Sequence, residues 1–243
     1  MTLIITGDSH VNALREGADL LTSEELASWA GRLKIGSLGT GSIALSRFSK
    51  VVSGKVVFDN SRYSRAFLAL NVRGFFRTGG VKYGMSFGFH SLPVVASLTW
   101  KDVLPWTIAS KYGREPVSSG VLTAMMAENN KHMHVFYEQL LAAKIDFFVI
   151  SAPPLRADHP IFTELEAEVI LEVDREFRKA SGDFFAERGI QVVYPPEIVY
   201  ASKGILRRDL AKIAPDDTHH GNSEYGRIML QHILSQDFVS VQN

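Results

Sequence analysis

The alternation of strand-like segments with helical patterns is the feature that most constrains the fold of this chain. Strand patterns occur at residues 3–5, 32–38, 81–89, 146–151 and 190–194, and several of them are apolar throughout rather than at every second position. Strands that are apolar on both faces are typical of a parallel sheet covered by helices on both sides. The sequence therefore predicts a doubly wound α/β fold: a mostly parallel sheet with helices on both faces, in three layers.

The helical patterns are longest in the second half of the chain. Apolar residues at three-to-four spacing predict one helix over residues 118–143 and a second over residues 162–188, which stops at Gly189. Polar caps predict further helices that begin near Ser23 and Ser223. Residues 46–80 interrupt the pattern as an insertion, and the sequence leaves two readings open: a β-hairpin excursion or a substrate-facing insertion.

The composition excludes several classes of function. With 243 residues and 46% apolar residues, the chain is expected to form a single domain, residues 1–243. Basic and acidic residues balance at 26 each, so no footprint for nucleic acid or an anionic membrane is expected. The absence of cysteine excludes disulfides and thiolate nucleophiles. No leader or long apolar run is visible, which predicts a cytoplasmic protein without a membrane span. Nothing in the sequence selects an oligomeric state.

Two short motifs at opposite ends of the chain could carry chemistry. The first strand ends in Gly7-Asp8-Ser9-His10, and the segment before the last helix contains Asp216, Asp217, His219 and His220. An Asp-x-x-His spacing lets a carboxylate accept the imidazole N–H, which is the support a nucleophilic serine requires from its base. The alternative is that both motifs are turns, because Gly, Asp and Ser are ordinary turn and capping residues.

The two motifs, together with the glycine-containing segments that follow the second and third strands, resemble the SGNH or GDSL-type hydrolase superfamily. The resemblance spans the whole chain and implies a flavodoxin-like three-layer fold. It implies Ser9 as the nucleophile, Asp217 and His220 as its partners, and backbone N–H groups of Ser9 and Gly41 as oxyanion donors, with Gly39 as the alternative glycine. His10 stands where the family pattern has leucine.

A second departure from the family pattern is His90, which stands in Gly88-Phe89-His90-Ser91 where the family has asparagine. A neutral imidazole still donates one N–H to an oxyanion if its other nitrogen is held as an acceptor. His90 is therefore the candidate third donor, and the alternative is a partly buried strand-end histidine that bonds to backbone.

The sequence contains two registers for the base. His220 is preferred over His219 because His220-Gly221-Asn222 matches the family pattern, and because Asn222 can cap the last helix and hold the preceding turn.

Candidate substrate-binding residues are Asp8, His10, His219 and Arg156. Phe89, Trp100 and Trp106 are expected as aromatic side chains exposed near the site.

These residues predict a serine esterase or deacylase for an O-acyl ester, with a short-chain, carbohydrate-linked acetyl group as the expected substrate and no cofactor or metal. Two alternatives belong to other classes. One is a metal-dependent hydrolase using the acidic and histidine residues of both motifs: Asp8, Asp216, Asp217, His219 and His220. The other is a degenerate hydrolase fold that binds a glycan or a partner, for which the histidine at position 90 is the hint.

Overall fold

The fold is a five-stranded parallel sheet between two helical layers, as seen in a computed structural model that describes residues 1–40 and 46–239. The strands are β1 (Thr2–Gly7), β2 (Leu33–Ser37), β3 (Ser49–Val52), β4 (Lys55–Phe58), β5 (Val81–Ser86), β6 (Val103–Pro105), β7 (Glu115–Val117), β8 (Phe147–Ile150), β9 (Val192–Val193), β10 (Tyr200–Ser202) and β11 (Ile205–Leu206). The main sheet has the order β2-β1-β5-β8-β9 with every neighbouring pair parallel. This is the flavodoxin-like order, and it confirms the predicted fold class.

Helices cover both faces of this sheet. They are α1 (Val11–Ala18), α2 (Ser61–Asn71), α3 (Leu92–Val95), α4 (Trp106–Tyr112), α5 (Ser119–Asn129), α6 (Lys131–Ala142), α7 (Ile161–Glu164), α8 (Ala167–Ala186) and α9 (Ser223–Leu234). In β1, Leu3 and Ile5 pack with α1 and α9, whereas Ile4 packs on the opposite face with α2 and α6. Within residues 1–40 and 46–239, no helix is both long and apolar enough to cross a membrane.

The two long predicted helices are each interrupted. The predicted helix over residues 118–143 is the pair α5 and α6, which meet at Asn130. Asn130 is buried, and its side-chain amide donates to the Gly88 carbonyl at 3.4 Å and to Ser181 Oγ at 3.3 Å. The predicted helix over residues 162–188 is α7 and α8, separated by Leu165 in an extended conformation. Apolar spacing continues through both breaks, so the sequence pattern did not reveal them.

The first helix was missed in the sequence. It is α1, which begins two residues after Ser9, whereas the helix expected from Ser23 is only a short 3₁₀ turn over Ala27–Trp29. The residue before α1, His10, forms no side-chain capping hydrogen bond, so the usual start signal is absent. A tight turn from β1 into α1 therefore contains the Gly-Asp-Ser-His motif.

Residues 46–80 contain both a hairpin and a helix of the main fold. Strands β3 and β4 form an antiparallel hairpin, which is the first of the two predicted alternatives. The helix α2 then connects β2 to β5 across one face of the sheet. Four phenylalanines of this segment enter the core, with Phe58 and Phe67 ring centroids 5.1 Å apart: Phe48, Phe58, Phe67 and Phe76. Much of the segment is therefore part of one helical layer.

The helices α1 and α9 approach closely through two glycines. A Cβ on Gly226 would lie 1.7 Å from the Ala13 carbonyl oxygen, and one on Gly17 would lie 2.2 Å from the Arg227 backbone nitrogen. Real Cβ atoms do not approach backbone atoms so closely, and backbone atoms inside a packed helix pair have little room to move. Glycine at both positions is therefore required for this contact.

We expect Gly226→Ala to lower the free energy of unfolding by about 3 kcal/mol or more, because the added methyl group forces α1 and α9 apart. The matched control is Gly120→Ala on α5, where the nearest atom to a new Cβ is Ser118 Oγ at 4.0 Å. This control should be neutral or stabilising by up to about 1 kcal/mol. Urea unfolding of both variants measures the difference, and equal stabilities would contradict the requirement.

Candidate active site

The candidate site lies at the carboxyl ends of β1 and β5. Ser9 lies in the turn after β1, and His90 follows β5. The carbonyls of Asp8 and Ser9 accept the first backbone hydrogen bonds of α1, from Val11 at 3.3 Å and Asn12 at 3.1 Å. Because β1 and β5 flank the point where the strand order reverses, this edge is where open α/β sheets form a ligand crevice.

Ser9, His220 and Asp217 form one continuous chain of hydrogen bonds. Ser9 Oγ lies 2.8 Å from His220 Nε2, and His220 Nδ1 lies 2.9 Å and 3.0 Å from the two carboxylate oxygens of Asp217. An ionised carboxylate only accepts, so Nδ1 carries the proton and Nε2 is left to accept the Ser9 hydroxyl. This is the register expected from the sequence, whereas Asp216 is exposed.

The turn that carries His220 is held from two sides. The Asn222 side chain accepts from the Tyr225 N–H at 3.0 Å and so caps α9, as predicted. On the other side, Arg156 Nη1 donates to the Lys212 carbonyl at 2.6 Å and lies 3.8 Å from Asp217 Oδ1. Arg156 is 5% exposed, and its guanidinium also pairs with Asp158. Arg156 is thus placed to support the turn, while its predicted contact with substrate stays a prediction.

The pKa of Asp217 lies below its ordinary value although the side chain is mostly buried. Burial raises the pKa, but the backbone N–H of His220, the attraction of the His220 ring when it is protonated and the backbone N–H of His219 favour the carboxylate more strongly. Asp217 is therefore ionised at neutral pH. It is the acceptor that the His220 tautomer requires.

Four imidazoles, one of them that of His220, form a single cluster. The His10 ring centroid lies 4.9 Å from that of His220, 5.2 Å from that of His90 and 5.7 Å from that of His219. Burial, with smaller contributions from neighbouring positive charges, lowers the pKa of His10 well below its ordinary value. The same causes lower the pKa of His90 and that of His219 to about 4. These three rings are therefore neutral at pH 7.

Three nitrogens of this cluster have no hydrogen-bond partner among the described residues. They are both ring nitrogens of His10 and Nε2 of His90. Asp8, the residue before Ser9, is buried at 5% exposure and accepts the His10 backbone N–H at 3.0 Å. Burial raises the pKa of Asp8 to about 7, against the opposing effect of the His10 N–H. Substrate contacts by Asp8, His10 and His219 stay predictions.

A buried ionic network beside His90 was missed in the sequence. Ser91 Oγ donates to Asp174, which pairs with Arg178 at 2.8 Å. Arg178 also donates to the carbonyls of Ala152 at 3.1 Å and Pro153 at 2.8 Å, so the network joins the loops after β5 and β8 to α8. The sequence pattern that could have revealed this network is the four-residue spacing of Asp174 and Arg178 on α8, where Asp174 lies next to the apolar side of the helix.

Two further expectations have different outcomes. Gly41 lies outside the described residues, so its role as an oxyanion donor stays a prediction. A Cβ on the alternative glycine, Gly39, would lie 3.0 Å from the Tyr63 ring.

The expectation of exposed aromatic side chains is wrong for Phe89 and Trp100, which are each 1% exposed in the core. Trp106 is exposed, and its indole N–H donates to Ser119 Oγ at 2.9 Å.

Within the described residues, one group of three side chains has metal-ligand types close together. The ligand atoms of Asp217, His219 and His220 all lie within 4.8 Å of one another. Asp8 and Asp216, which the metal-hydrolase alternative also requires, are not part of this group. That alternative is therefore wrong in its five-residue form: Asp8 is buried and Asp216 is exposed, and neither joins the group whose ligand atoms lie within 4.8 Å of one another.

Comparison with known proteins supports the fold assignment. No protein-family model and no curated protein matches the chain. Among solved structures, a GDSL-like lipase from Bacteroides thetaiotaomicron matches with a TM-score of 0.53 at 12% identity, over 96% of this chain and 85% of the lipase. A Bacteroides fragilis protein provisionally named an acylhydrolase matches with a TM-score of 0.54 at 9% identity, over 96% and 84% of the two chains. The chain has the GDSL-type hydrolase fold. At these identities the likeness concerns the GDSL-type fold alone.

The buried Asp8 makes the stability of the protein depend on pH. Its raised pKa means that the folded protein keeps this proton between about pH 4 and pH 7, where the unfolded chain has lost it. Stability from this group is therefore lost progressively as the pH rises from about 4 to about 7. We expect the stability of Asp8→Asn relative to wild type to increase with pH, by up to about 4 kcal/mol above pH 7.

Urea unfolding of Asp8→Asn and wild type at about pH 4.5 and about pH 8 tests this expectation. The histidine cluster is common to both proteins, so its own pH dependence largely cancels in the difference. Asp216→Asn is the control, because Asp216 is exposed on the same side of the molecule. The free energies of unfolding of Asp8→Asn and wild type could differ by the same amount at both pH values. This result would show that Asp8 is not buried as described.

Proposed function

We propose that the protein is a serine hydrolase that cleaves carboxylic esters with short acyl groups. The observation that carries the proposal is the hydrogen-bonded chain from Ser9 through His220 to Asp217. In this mechanism His220 Nε2 takes the proton of the Ser9 hydroxyl as Oγ attacks the ester carbonyl. Asp217 stabilises the imidazolium, which then protonates the leaving alcohol. Water then attacks the acyl-enzyme by the same proton transfers and restores Ser9.

The surroundings of His220 suit this proton transfer. His10, His90 and His219 are neutral at pH 7, since burial lowers the pKa of each. The positive charge that forms on His220 therefore faces no charged neighbouring ring, while Asp217 remains ionised beside it. Electrostatic support of this kind acts strongly in a site that is partly shielded from water.

His90 is the proposed side-chain donor to the oxyanion. Its Nε2 is buried and has no hydrogen-bond partner among the described residues. A neutral imidazole with a proton on Nε2 would be an oxyanion donor comparable to an amide, worth about 3 kcal/mol in similar sites. The backbone N–H groups of Ser9 and Gly41 complete the proposed set.

The preference for short acyl groups rests on the space beside the site. A cavity of about 20 Å³ lies between the histidines and the loop after β8, and its lining includes Phe89, Leu92, Pro153 and Leu155. This space is about that of a single water-sized group, so a long acyl chain would not fit in it. A carbohydrate as the alcohol portion of the ester is proposed from the sequence resemblance alone.

The decisive experiment is labelling of Ser9 by a fluorophosphonate, which reacts rapidly only with an activated serine. We expect stoichiometric labelling of the wild type and none of Ser9→Ala, with turnover of a small acetyl ester reduced on the order of a thousandfold or more. Ser37→Ala is a control serine at the end of β2. Turnover by Ser9→Ala within tenfold of wild type, combined with its loss on chelation, would instead favour a metal-dependent hydrolase. A correctly folded wild type that neither labels nor turns over would favour a binding module.

A second prediction distinguishes the two histidines. We expect His220→Ala to lower ester turnover on the order of a thousandfold, because it removes the base. His219→Ala should remain within about tenfold, since the ring of His219 does not lie between Ser9 and Asp217. Side-by-side kinetics of the two variants provide the measurement. An inactive His219→Ala with a nearly normal His220→Ala would assign the base to the Asp216–His219 register.

A further inference from the structure

The proposed base lies at the end of a loop, residues 212–220, that is closed by backbone pairing. The Lys212 N–H donates to the His220 carbonyl at 3.0 Å, and the flanking residues Ala211 and Gly221 form an antiparallel bridge. Between these ends the loop contains neither helix nor strand. The position of the loop relative to Ser9 therefore depends on contacts made from outside it.

Arg156 makes such a contact from the loop after β8. Its Nη1 donates to the Lys212 carbonyl at 2.6 Å and to the His220 carbonyl at the longer distance of 3.4 Å. One guanidinium nitrogen thus contacts both ends of loop 212–220, including the residue that bears the proposed base. The same nitrogen lies 3.8 Å from Asp217 Oδ1, so its positive charge also faces the carboxylate that supports His220.

Arg156 is itself held in one orientation. Nε and Nη2 donate to the two carboxylate oxygens of Asp158 at 2.9 and 2.6 Å, and such a bidentate pair fixes the guanidinium plane. The backbone of the preceding residue, Leu155, is hydrogen-bonded to Gly204 at 3.1 Å and to Leu206 at 2.8 Å. All three guanidinium nitrogens therefore donate to the protein. The side chain is also 5% exposed, which leaves it little capacity to bind a substrate.

We propose that Arg156 is a positioning residue, which holds loop 212–220 so that His220 faces Ser9, and that it does not bind the substrate. Arginine suits this role because its planar fork donates in several directions at once, whereas a lysine ammonium lacks this fixed geometry. The effect on catalysis rests on the proposed serine mechanism. The effect on the position of the loop does not.

Steady-state hydrolysis of a small acetyl ester by Arg156→Ala and Arg156→Lys tests this role. We expect kcat to fall at least about tenfold in both variants with KM within about threefold of wild type, because a small displacement of the base slows the reaction while the contacts to substrate remain.

Arg207→Ala is the matched control for the two Arg156 variants. Arg207 also forms a bidentate pair with an aspartate two residues later, Asp209, and donates to a carbonyl outside loop 212–220, that of Ile198. Its kcat should stay within about twofold of wild type, because this arginine does not hold the loop.

Two further measurements separate positioning from a general loss of structure, and circular dichroism checks that each variant is folded. Guanidinium ion added to Arg156→Ala should restore part of kcat, because it can donate to the same two carbonyls. Asp158→Ala removes a side chain that is 63% exposed and leaves Arg156 in place without the pair that orients it. We expect this variant to lower kcat at least about threefold.

Proton NMR measures the position of the loop without turnover. The proton that His220 Nδ1 donates to Asp217 is expected to give a downfield signal, which is identified by its absence from His220→Ala. We expect this signal to shift or broaden in Arg156→Lys and to stay unchanged in Arg207→Ala.

Several outcomes would overturn the proposal. One is a kcat within about threefold of wild type in folded Arg156→Ala and Arg156→Lys; another is a raised KM with unchanged kcat, which would assign Arg156 to substrate binding. If neither Arg156 variant folds, an unchanged kcat in Asp158→Ala overturns it. A wild type without turnover or labelling of Ser9, whose NMR signal still changes in Arg156→Lys, supports the role in the loop and counts against the proposed serine mechanism.

Discussion

The close packing of α1 against α9 is the contact on which the site depends. Ser9 lies in the turn that leads into α1, and His220 lies in the turn that leads into α9, 211 residues apart in the chain. Gly17 and Gly226 allow the two helix backbones to approach to distances that no side chain would permit. A hydrogen bond of 2.8 Å between Ser9 and His220 requires the two helix starts to be positioned within a few tenths of an ångström. Such positioning is available only where rigid elements are packed without intervening atoms.

The electrostatics of the site follow from which groups are buried and which are paired. Burial raises the pKa of Asp8 and lowers the pKa of His10 and of His90, so each of these groups is favoured in its neutral form. The buried cation Arg156 is paired with Asp158, and the partly buried Arg178 is paired with Asp174. Within the described part of the site, Asp217 is thus the anion beside the base. This arrangement favours charge formation on His220.

The sequence predicted the pairing of Asp217 with His220 better than it predicted the bounds of the helices. The Asp217–His220 register could be chosen because Asn222 is a capping residue at a suitable position, and the cap is present. The helix breaks could not be predicted because Asn130 ends one helix through tertiary hydrogen bonds to Gly88 and Ser181. Trp100 was misplaced for a similar reason. Its exposure depends on the packing between α8 and the segment from α3 to α5, which local sequence does not encode.

By itself, the sequence determined the fold class, because strand periodicity is a local property. The grouping of Ser9 with Asp217 and His220 came from the family resemblance of the short motifs at the two ends of the chain, and their catalytic roles stay a prediction. The tertiary structure alone decided the environment of these three residues. His10, His90 and His219 come from three separate segments, and their contact depends on where β1, β5 and the turn before α9 meet. The pKa values of these groups depend on burial, and burial is a property of the assembled core rather than of any segment.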